Sequence, residues 1–162
     1  MQIPIGVQVS LDNITWYKLS DHNRQPIGMS YDEISNSKRM ANGTMRKYVI
    51  ANKIKASTDW QNFPTLSSNL VDYNTGAHGG AWIKAFYEGN VFNPIYVKLV
   101  YATDVSVLNA LPAGTYTDSL GTTGKVFNAF ITSFTYDIIK RRVAATGAGY
   151  DYVNIKIEFT EI

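Results

Sequence analysis

The chain has 162 residues, no Cys, a net charge of +2 and an apolar fraction of 45%. This length suits one domain with a full hydrophobic core, and the lack of Cys excludes disulfides and thiolate catalysis. The pI of about 8.7 is below the values above about 9 that are typical of nucleic-acid-binding domains.

The beginning of the chain lacks the charged start and apolar run of a signal peptide, and no window approaches the roughly 18 consecutive apolar residues of a membrane span. We therefore expect a soluble protein made in the cytoplasm. Aromatic residues make up 13% of the chain, and Thr, Val and Ile are plentiful. These residue types favour a pleated, half-buried surface, so the composition predicts a mainly β domain.

The first third of the chain alternates between apolar and polar residues in short runs. Such a period of two predicts a strand at 3–10, a second short strand within 11–20 and a third at 27–31. The stretch DHNRQP at 21–26 is typical of a turn, because Asp and Asn bond their own backbone and Pro interrupts a ladder.

The segment 39–60, RMANGTMRKYVIANKIKASTDW, predicts a hairpin followed by an amphipathic strand. Asn42-Gly43 is the strongest short hairpin signal, since a type I′ turn needs positive φ at both central residues. Residues 38–41 lead in and residues 44–50 lead out. After Ala51-Asn52 the pattern restarts, with an apolar face of Ile54, Ala56, Thr58 and Trp60 and a wet face of Lys53, Lys55, Ser57 and Asp59.

One helix is predicted within 76–90. Its apolar stripe consists of Trp82, Ile83, Phe86 and Tyr87, Lys84 faces Glu88 one turn on, and Gly89-Asn90 is typical of a left-handed stop. A helix this short is marginal alone, so we expect it to dock on a sheet.

The second half of the chain predicts three strands and a long loop. A strand at 95–102 places Ile95, Val97, Leu99 and Tyr101 on one face. Residues 103–124 are weakly patterned and predict a loop. The next strand, 126–140, is expected to put Val126, Phe130, Phe134, Tyr136 and Ile138 on one face and Phe127, Ala129, Ile131 and Ile139 on the other. The strand at 150–162 alternates most cleanly, with Val153, Ile155, Ile157 and Phe159 on one side. The elements together predict a single antiparallel β-sandwich or barrel with one short flanking helix.

Signals for catalysis and for metal binding are weak. The two histidines, His22 and His78, stand in no metal-ligand spacing, and Asp32-Glu33 is not spaced like a calcium loop. Glycosidase chemistry needs two carboxylates across a cleft, and the candidates are isolated acids: Asp59, Asp72, Glu88, Asp104, Asp118 and Asp137. We favour ordinary solvated carboxylates, and we expect no catalytic residues, metal or cofactor.

Basic and aromatic residues leave two binding hypotheses open. The basic clusters, Lys38-Arg39, Arg46-Lys47, Lys53, Lys55 and Lys140-Arg141-Arg142, suit contact with nucleic acid or an acidic partner, but solvated strand faces explain them better. Trp60 and Trp82 fit the core. The remaining aromatic residues, Trp16, Tyr116, Tyr150 and Tyr152, stay available for a carbohydrate-binding module.

The block from 35 to 64 resembles the N-terminal hairpin of tail-tube and related tail proteins of tailed bacteriophages. The likeness lies in a Met-Ala-Asn-Gly turn at 40–43, a basic-aromatic return strand and a strand that ends in Trp60. The later order of a short helix (81–88), a strand, a loop and two long strands is also similar.

This resemblance implies a non-catalytic virion structural protein with a β-sandwich or barrel and a flanking helix. Such proteins form rings, commonly homo-hexamers, that stack into a tube through which DNA passes without sequence-specific binding. The implied partners are copies of the chain and other tail proteins, and the implied location is the virion tail after synthesis in the host cytoplasm. The projecting hairpin, about 35–60, is then the assembly arm. Its expected inter-subunit contacts are Arg39, Met40, Asn42, Gly43, Met45, Arg46 and Tyr48. The alternative is a β-sandwich carbohydrate-binding module of a host-attachment apparatus.

Overall fold

The computed structural model describes residues 4–65, 77–101, 115–117, 123–143 and 149–162. They form an antiparallel sheet and one helix. The strands are β1 (Pro4–Ser10), β2 (Tyr17–Lys18), β3 (Gly28–Arg39), β4 (Met45–Pro64), β5 (Ile95–Tyr101), β6 (Thr115–Thr117), β7 (Thr123–Val143) and β8 (Gly149–Glu161), and the helix is α1 (Gly80–Gly89). The mainly β class with one short helix that the sequence predicts is confirmed.

The strand order is β2-β1-β5-β7-β8-β4-β3, and β6 pairs with β7 beside this path. The end strands β2 and β3 do not pair with each other, so the sheet is not closed into a barrel. Residues 19–27, which connect β2 to β3, nevertheless contact β4 and so link the two ends of the strand order. Trp60 Nε1 donates to the Ser20 carbonyl at 2.7 Å, and the Gln25 N–H donates to the Asp59 carbonyl at 2.8 Å. The sheet therefore curls on itself in a sandwich-like form.

A single hydrophobic cluster fills the space that the curled sheet encloses. Its members come from both ends of the strand order and from the helix, and the largest fully buried side chains are Trp60, Phe63, Phe159, Leu19, Ile83, Ile95, Leu99, Ile155, Ile157, Val7, Val9 and Val97. Burying an aliphatic or aromatic side chain contributes about 1.5–3 kcal/mol before entropy is counted. This cluster is thus the main stabilising feature of the described fold.

The alternation predicted for four strands is confirmed. Buried residues occur at every second position of β1 (Val7, Val9), of β4 (Ile54, Ala56, Thr58, Trp60), of β5 (Ile95, Val97, Leu99) and of β8 (Val153, Ile155, Ile157, Phe159). The period-two signal works here because each of these stretches runs without a bulge and has one face on the core.

The predicted faces of the strand at 126–140 are wrong in its second half. Phe127, Ala129 and Ile131 are buried as one face. The register with β8 then shifts between Ile131 and Ser133. An extra residue in one strand turns the following side chains to the other face. As a result Phe134 and Tyr136 pack against the core, on the same side as the residues predicted to oppose them.

Two further predictions for the irregular stretches need correction. The strand predicted within 11–20 is reduced to Tyr17–Lys18, and Ile14 is 83% exposed. Asp12 Oδ1 instead accepts from the backbone N–H groups of Ile14 and Thr15. The loop predicted at 103–124 contains β6 and the start of β7, and its other residues lie outside those that the structure describes.

The helix α1 docks on the sheet, as its short length requires. Lys84 and Glu88 pair at 2.7 Å, as predicted. The left-handed stop is wrong, because Asn90 has φ −129° and its side chain Nδ2 donates to the Phe86 carbonyl at 2.8 Å. This bond satisfies one of the last carbonyls of the helix without a left-handed residue. Within the described ranges, no helix has the length and apolarity to cross a bilayer.

Candidate functional site

One end of the β3–β4 pair projects beyond the rest of the sheet. The strand β8 accompanies β4 only as far as Lys55, which lies opposite Thr160. Residues 31–39 and 45–54 therefore pair only with each other, and with the turn at 40–44 they form what we call the arm. At about 3.3 Å per residue, nine residues extend the arm roughly 30 Å from the body.

The base of the arm is fixed to the end of β8. The Ile54 N–H donates to Glu161 Oε2 at 2.8 Å, and Lys53 Nζ donates to the Ile162 carbonyl. Ile54 itself is buried. These contacts tie the arm to the core at the point where it leaves the sheet, so its direction is set by the body.

The turn of the arm differs from the predicted two-residue type I′ turn. Gly43 has φ +82°, but Asn42 has no positive φ. The Gly43 N–H donates to the Met40 carbonyl at 2.9 Å, and the Met40 N–H donates to the Thr44 carbonyl at 2.7 Å. This is a three-residue connection, in which an ordinary turn is followed by one left-handed glycine. The Asn-Gly signal predicts the hairpin correctly and the turn type wrongly.

The seven residues predicted as inter-subunit contacts all lie at or near the tip of the arm, and all are exposed. Three of them serve the turn itself. Arg39 Nη1 donates to the Gly43 carbonyl at 3.0 Å, and Asn42 Oδ1 accepts from the Thr44 N–H at 3.0 Å. The other four, Met40, Met45, Arg46 and Tyr48, present their side chains to solvent.

The sequence reasoning missed four of the exposed apolar residues of the arm: Tyr31, Ile34, Val49 and Ile50. Every residue from 31 to 50 is exposed, on both faces. Seven large apolar side chains lie there, with exposed fractions of 44–75%: Tyr31, Ile34, Met40, Met45, Tyr48, Val49 and Ile50. The sequence signal was the row Tyr48-Val49-Ile50, which breaks the alternation of an amphipathic strand.

A bulge places three of these side chains together. The register shifts between Ile34 and Ser35, so that Ile34 lies opposite Ala51 while Ser35 lies opposite Val49, leaving Ile50 as the extra residue. Residues that flank a bulge in this way share a face. The face turned away from the core thus carries Ile34, Ile50 and Tyr48.

The other face of the arm continues the core face of the sheet. Tyr31 lies opposite the buried Ile54, and Val49 and Met45 follow on the same side. All three are more than half exposed. Apolar patches of this kind on a projecting element mark interaction surfaces more often than scattered single residues do.

The arm is also charged in a graded way. The base of the arm carries Asp32 and Glu33 on β3 and Lys53 on β4, and its tip carries Lys38, Arg39, Arg46 and Lys47. Hydrogen bonds from Lys47 and then from Ser35 lower the pKa of Glu33 below its usual value. Asp32 pairs with Lys55 at 3.1 Å. Both pairs are solvent-exposed, and such pairs contribute about 1 kcal/mol or less.

The hairpin of β7 and β8 leaves the body at the opposite end. Beyond Tyr152, which lies opposite Pro64, β8 pairs only with β7. Tyr150 and Tyr152 make an edge contact there at 5.7 Å. Their hydrogen bond raises the pKa of Tyr150 and lowers the pKa of Tyr152, as expected if Tyr150 donates. Lys140 Nζ lies 5.1 Å from the Tyr152 ring.

A polar groove of about 650 Å³ lies beside the base of the arm. Asp32 and Glu158 are its acids, and Ser57, Thr132 and Thr160 also line it. The Asp32 carboxylate is occupied by Lys55. Of the carboxylates predicted as catalytic candidates, Asp59, Glu88 and Asp137 lie on three different elements, whereas Asp72, Asp104 and Asp118 lie outside the described residues.

The metal and tryptophan predictions can be placed only in part. No cluster of three or more possible metal-ligating residues occurs in the described part of the chain. Trp60 is fully buried, and Trp82 packs against the core and stacks on His78 at 4.1 Å. Lys98 Nζ lies 4.1 Å from the ring of Trp16. The position of Tyr116 is known only as part of β6.

No protein-family model matches this chain, and no curated protein is significantly similar to it.

Proposed function

We propose that this chain is a non-catalytic structural subunit of a tailed-bacteriophage tail tube, which assembles into rings and stacked rings through its arm. The observation that carries the proposal is the arm, a two-stranded ribbon of about 30 Å that has no strand partner among the described residues and exposes apolar side chains on both faces. A two-stranded ribbon is marginally stable alone in water. Docking on another chain would supply the partner that it lacks.

The asymmetry of the molecule also supports this proposal. The arm is at one end of the sheet and the β7–β8 hairpin is at the other, so a contact between unlike ends is of the head-to-tail type. Such contacts generate closed rings or open filaments, depending on the rotation between copies. The implied partners are further copies of the chain and other tail proteins around a DNA channel, and the implied location is the virion.

Sedimentation velocity on arm variants tests the proposal. We expect the wild-type protein to form oligomers whose size rises with concentration. Tyr48→Asp and Ile50→Asp place charge on the face of the arm turned away from the core and should shift the protein to monomers that still unfold cooperatively. Ile14→Asp is the matched control, because Ile14 is 83% exposed and lies off the arm. A wild-type protein that stays monomeric at high concentration would contradict the proposal.

The alternative function, a carbohydrate-binding module, rests on the Tyr150–Tyr152 contact at the other end of the molecule. Aromatic rings beside Lys140 and Arg142 form a surface on which a sugar ring could stack. A glycan array with wild-type protein and with Tyr150→Ala tests this alternative. Binding that the variant abolishes supports it, and absence of binding across the array removes it.

A further inference from the structure

The arm presents a free strand edge, and the described structure contains a second free edge that matches it. On the side away from β4, no described strand pairs with β3. The strand β7 pairs with β5 only up to Ala129. From 130 to 143 the edge of β7 that faces away from β8 likewise has no described strand beside it. Unpaired edges of this length are templates for pairing with another chain.

We propose that the outer edge of β3 pairs antiparallel with the 130–143 edge of β7 in a second copy of this chain. This inference rests on the proposed assembly function and specifies the surface that receives the arm. The contact is head-to-tail, and the two copies are displaced along the strand direction.

The topology fixes the direction of this pairing. Successive neighbours β7, β8, β4 and β3 are all antiparallel, so β3 runs opposite to β7 within one copy. A second copy that is displaced along the strands, or rotated about them, keeps that relation. The arm leaves the body at the end where β7 begins, and the 143 end of β7 points the other way. Displacement along the strands by about 15 residues, roughly 50 Å, therefore brings the outer half of β3 level with the 130–143 edge of β7.

The distribution of charge along the two edges favours the same antiparallel direction. β3 is acidic near its base, at Asp32 and Glu33, and basic near its tip, at Lys38 and Arg39. The β7 edge has Asp137 in its middle and the basic triplet 140–142 near its end. Antiparallel pairing sets the acidic base against the basic triplet and the basic tip against Asp137. Parallel pairing would set like charges together, which disfavours that direction.

The faces of these charges set the register. Lys38 is seven positions from Tyr31, which lies on the core side opposite Ile54, and Asp137 lies opposite the exposed Asn154, so both side chains are on the face turned away from the core. Since opposed residues of an antiparallel pair share a face, we place Lys38 opposite Asp137. Ile138, which is 61% exposed, then lies opposite Ser37 of the arm.

Disulfide trapping tests this register, since the chain contains no Cys. Directly opposed residues of an antiparallel pair have Cα atoms about 4.5–5.5 Å apart, within disulfide reach. We expect a mixture of Lys38→Cys and Asp137→Cys proteins to yield covalent dimers that contain one of each. The double variant should yield a ladder of multimers.

Asn154→Cys is the matched control for Asp137→Cys. Asn154 is exposed and lies opposite Asp137 on β8, so it is one strand further from the proposed edge and about 10 Å from Lys38 of the neighbouring copy. It should not cross-link with Lys38→Cys. Self-dimers of Lys38→Cys alone would overturn the proposal, because they would show a β3–β3 contact.

Charge reversal gives a second, non-covalent test. Lys38→Asp and Asp137→Lys should each weaken association about tenfold or more, and the double variant should recover most of it. Electron microscopy of the same samples separates the two proposals. Wild-type assemblies without the Lys38–Asp137 cross-link would overturn this edge contact and leave the assembly function standing. Absence of any assembly would overturn both.

Discussion

The side chain of Trp60 connects the two ends of the strand order. Its ring is fully buried, and its Nε1–H donates to the Ser20 carbonyl at 2.7 Å, between β2 and β3. Loss of that donor leaves a buried carbonyl without its partner, and the smaller ring leaves a cavity. We expect Trp60→Phe to lower the free energy of unfolding by about 2–4 kcal/mol.

Chemical denaturation measures this change. Trp16→Phe is the control, because Trp16 is only partly buried and its main described contact is with Lys98. A cation–π contact of that kind contributes about 1 kcal/mol or less at an exposed site. Equal losses for the two variants would contradict the role given to Trp60.

Two helix glycines provide a matched pair. A Cβ at Gly80 would lie 3.3 Å from side-chain carbons of Phe63, Val153 and Ile155, whereas a Cβ at Gly89 would meet nothing within 4 Å. Ala is the better helix former by about 1 kcal/mol. Gly89→Ala should therefore stabilise the protein slightly. Gly80→Ala should destabilise it by about 1–3 kcal/mol, since three buried side chains would have to move.

Thermal and chemical unfolding of both glycine variants checks this prediction. A Gly80→Ala variant that is as stable as Gly89→Ala would show that α1 is not seated closely against β4 and β8.

His78 makes the stability depend on pH. Burial lowers its pKa below the ordinary value of 6.5, and its ring stacks on Trp82. In the unfolded chain His78 takes up a proton as the pH falls through about 6.5, whereas in the folded protein it does so at a lower pH. The stability is thus complete above that range and declines as the pH falls through the lowered value.

Denaturation at pH 7.5 and pH 5 should show this decline, and His78→Gln should remove part of it. This window lies above the range in which Asp12 and Glu33 titrate, since both have lowered pKa values. A His78→Gln variant with the same dependence as the wild type would refute the assignment.

Gly43 determines the conformation of the turn at the tip of the arm. Its φ of +82° lies in the left-handed region, which costs a β-branched residue about 1–3 kcal/mol. Because the tip is open, with nothing within 4 Å of a Cβ there, the effect is on conformation rather than packing. We expect Gly43→Val to increase hydrogen exchange in residues 38–46, while Gly43→Asn, which tolerates positive φ, leaves exchange near the wild-type level.

Exchange mass spectrometry of monomeric protein checks this directly. If the valine and asparagine variants exchange alike, the glycine is not setting the turn.

Sequence reasoning succeeded where one rule acts alone and failed where register shifts intervene. The faces of β8 follow from uninterrupted alternation of Val153 to Phe159, and the hairpin follows from Asn42-Gly43. The side chains of β7 change faces at the register shift between Ile131 and Ser133. In the arm, the side chains of β4 change faces at the register shift opposite Ile34 and Ser35. No residue type in either stretch indicates the bulge, because the position of a bulge depends on the pairing with the neighbouring strand.

The sequence predicts only part of the candidate site. The tip residues Met40, Met45 and Tyr48 follow from the hairpin signal. Tyr31 and Ile50 could not be assigned from the sequence, because their exposure depends on where β8 stops pairing with β4. That boundary is a property of the whole sheet.

We expect the whole molecule to assemble through the arm. The stable body is a curled sheet around one core, and the arm lies outside it with its apolar side chains in solvent. Contact with another copy removes that surface from water and adds stability by mass action, since only the folded chain can bind.

Electron microscopy of the purified wild-type chain at rising concentration tests this claim most directly. We predict rings and stacked rings in which each arm lies against a neighbouring copy. Uniform single particles at the highest concentration, with the arm extended and unbound, would contradict it.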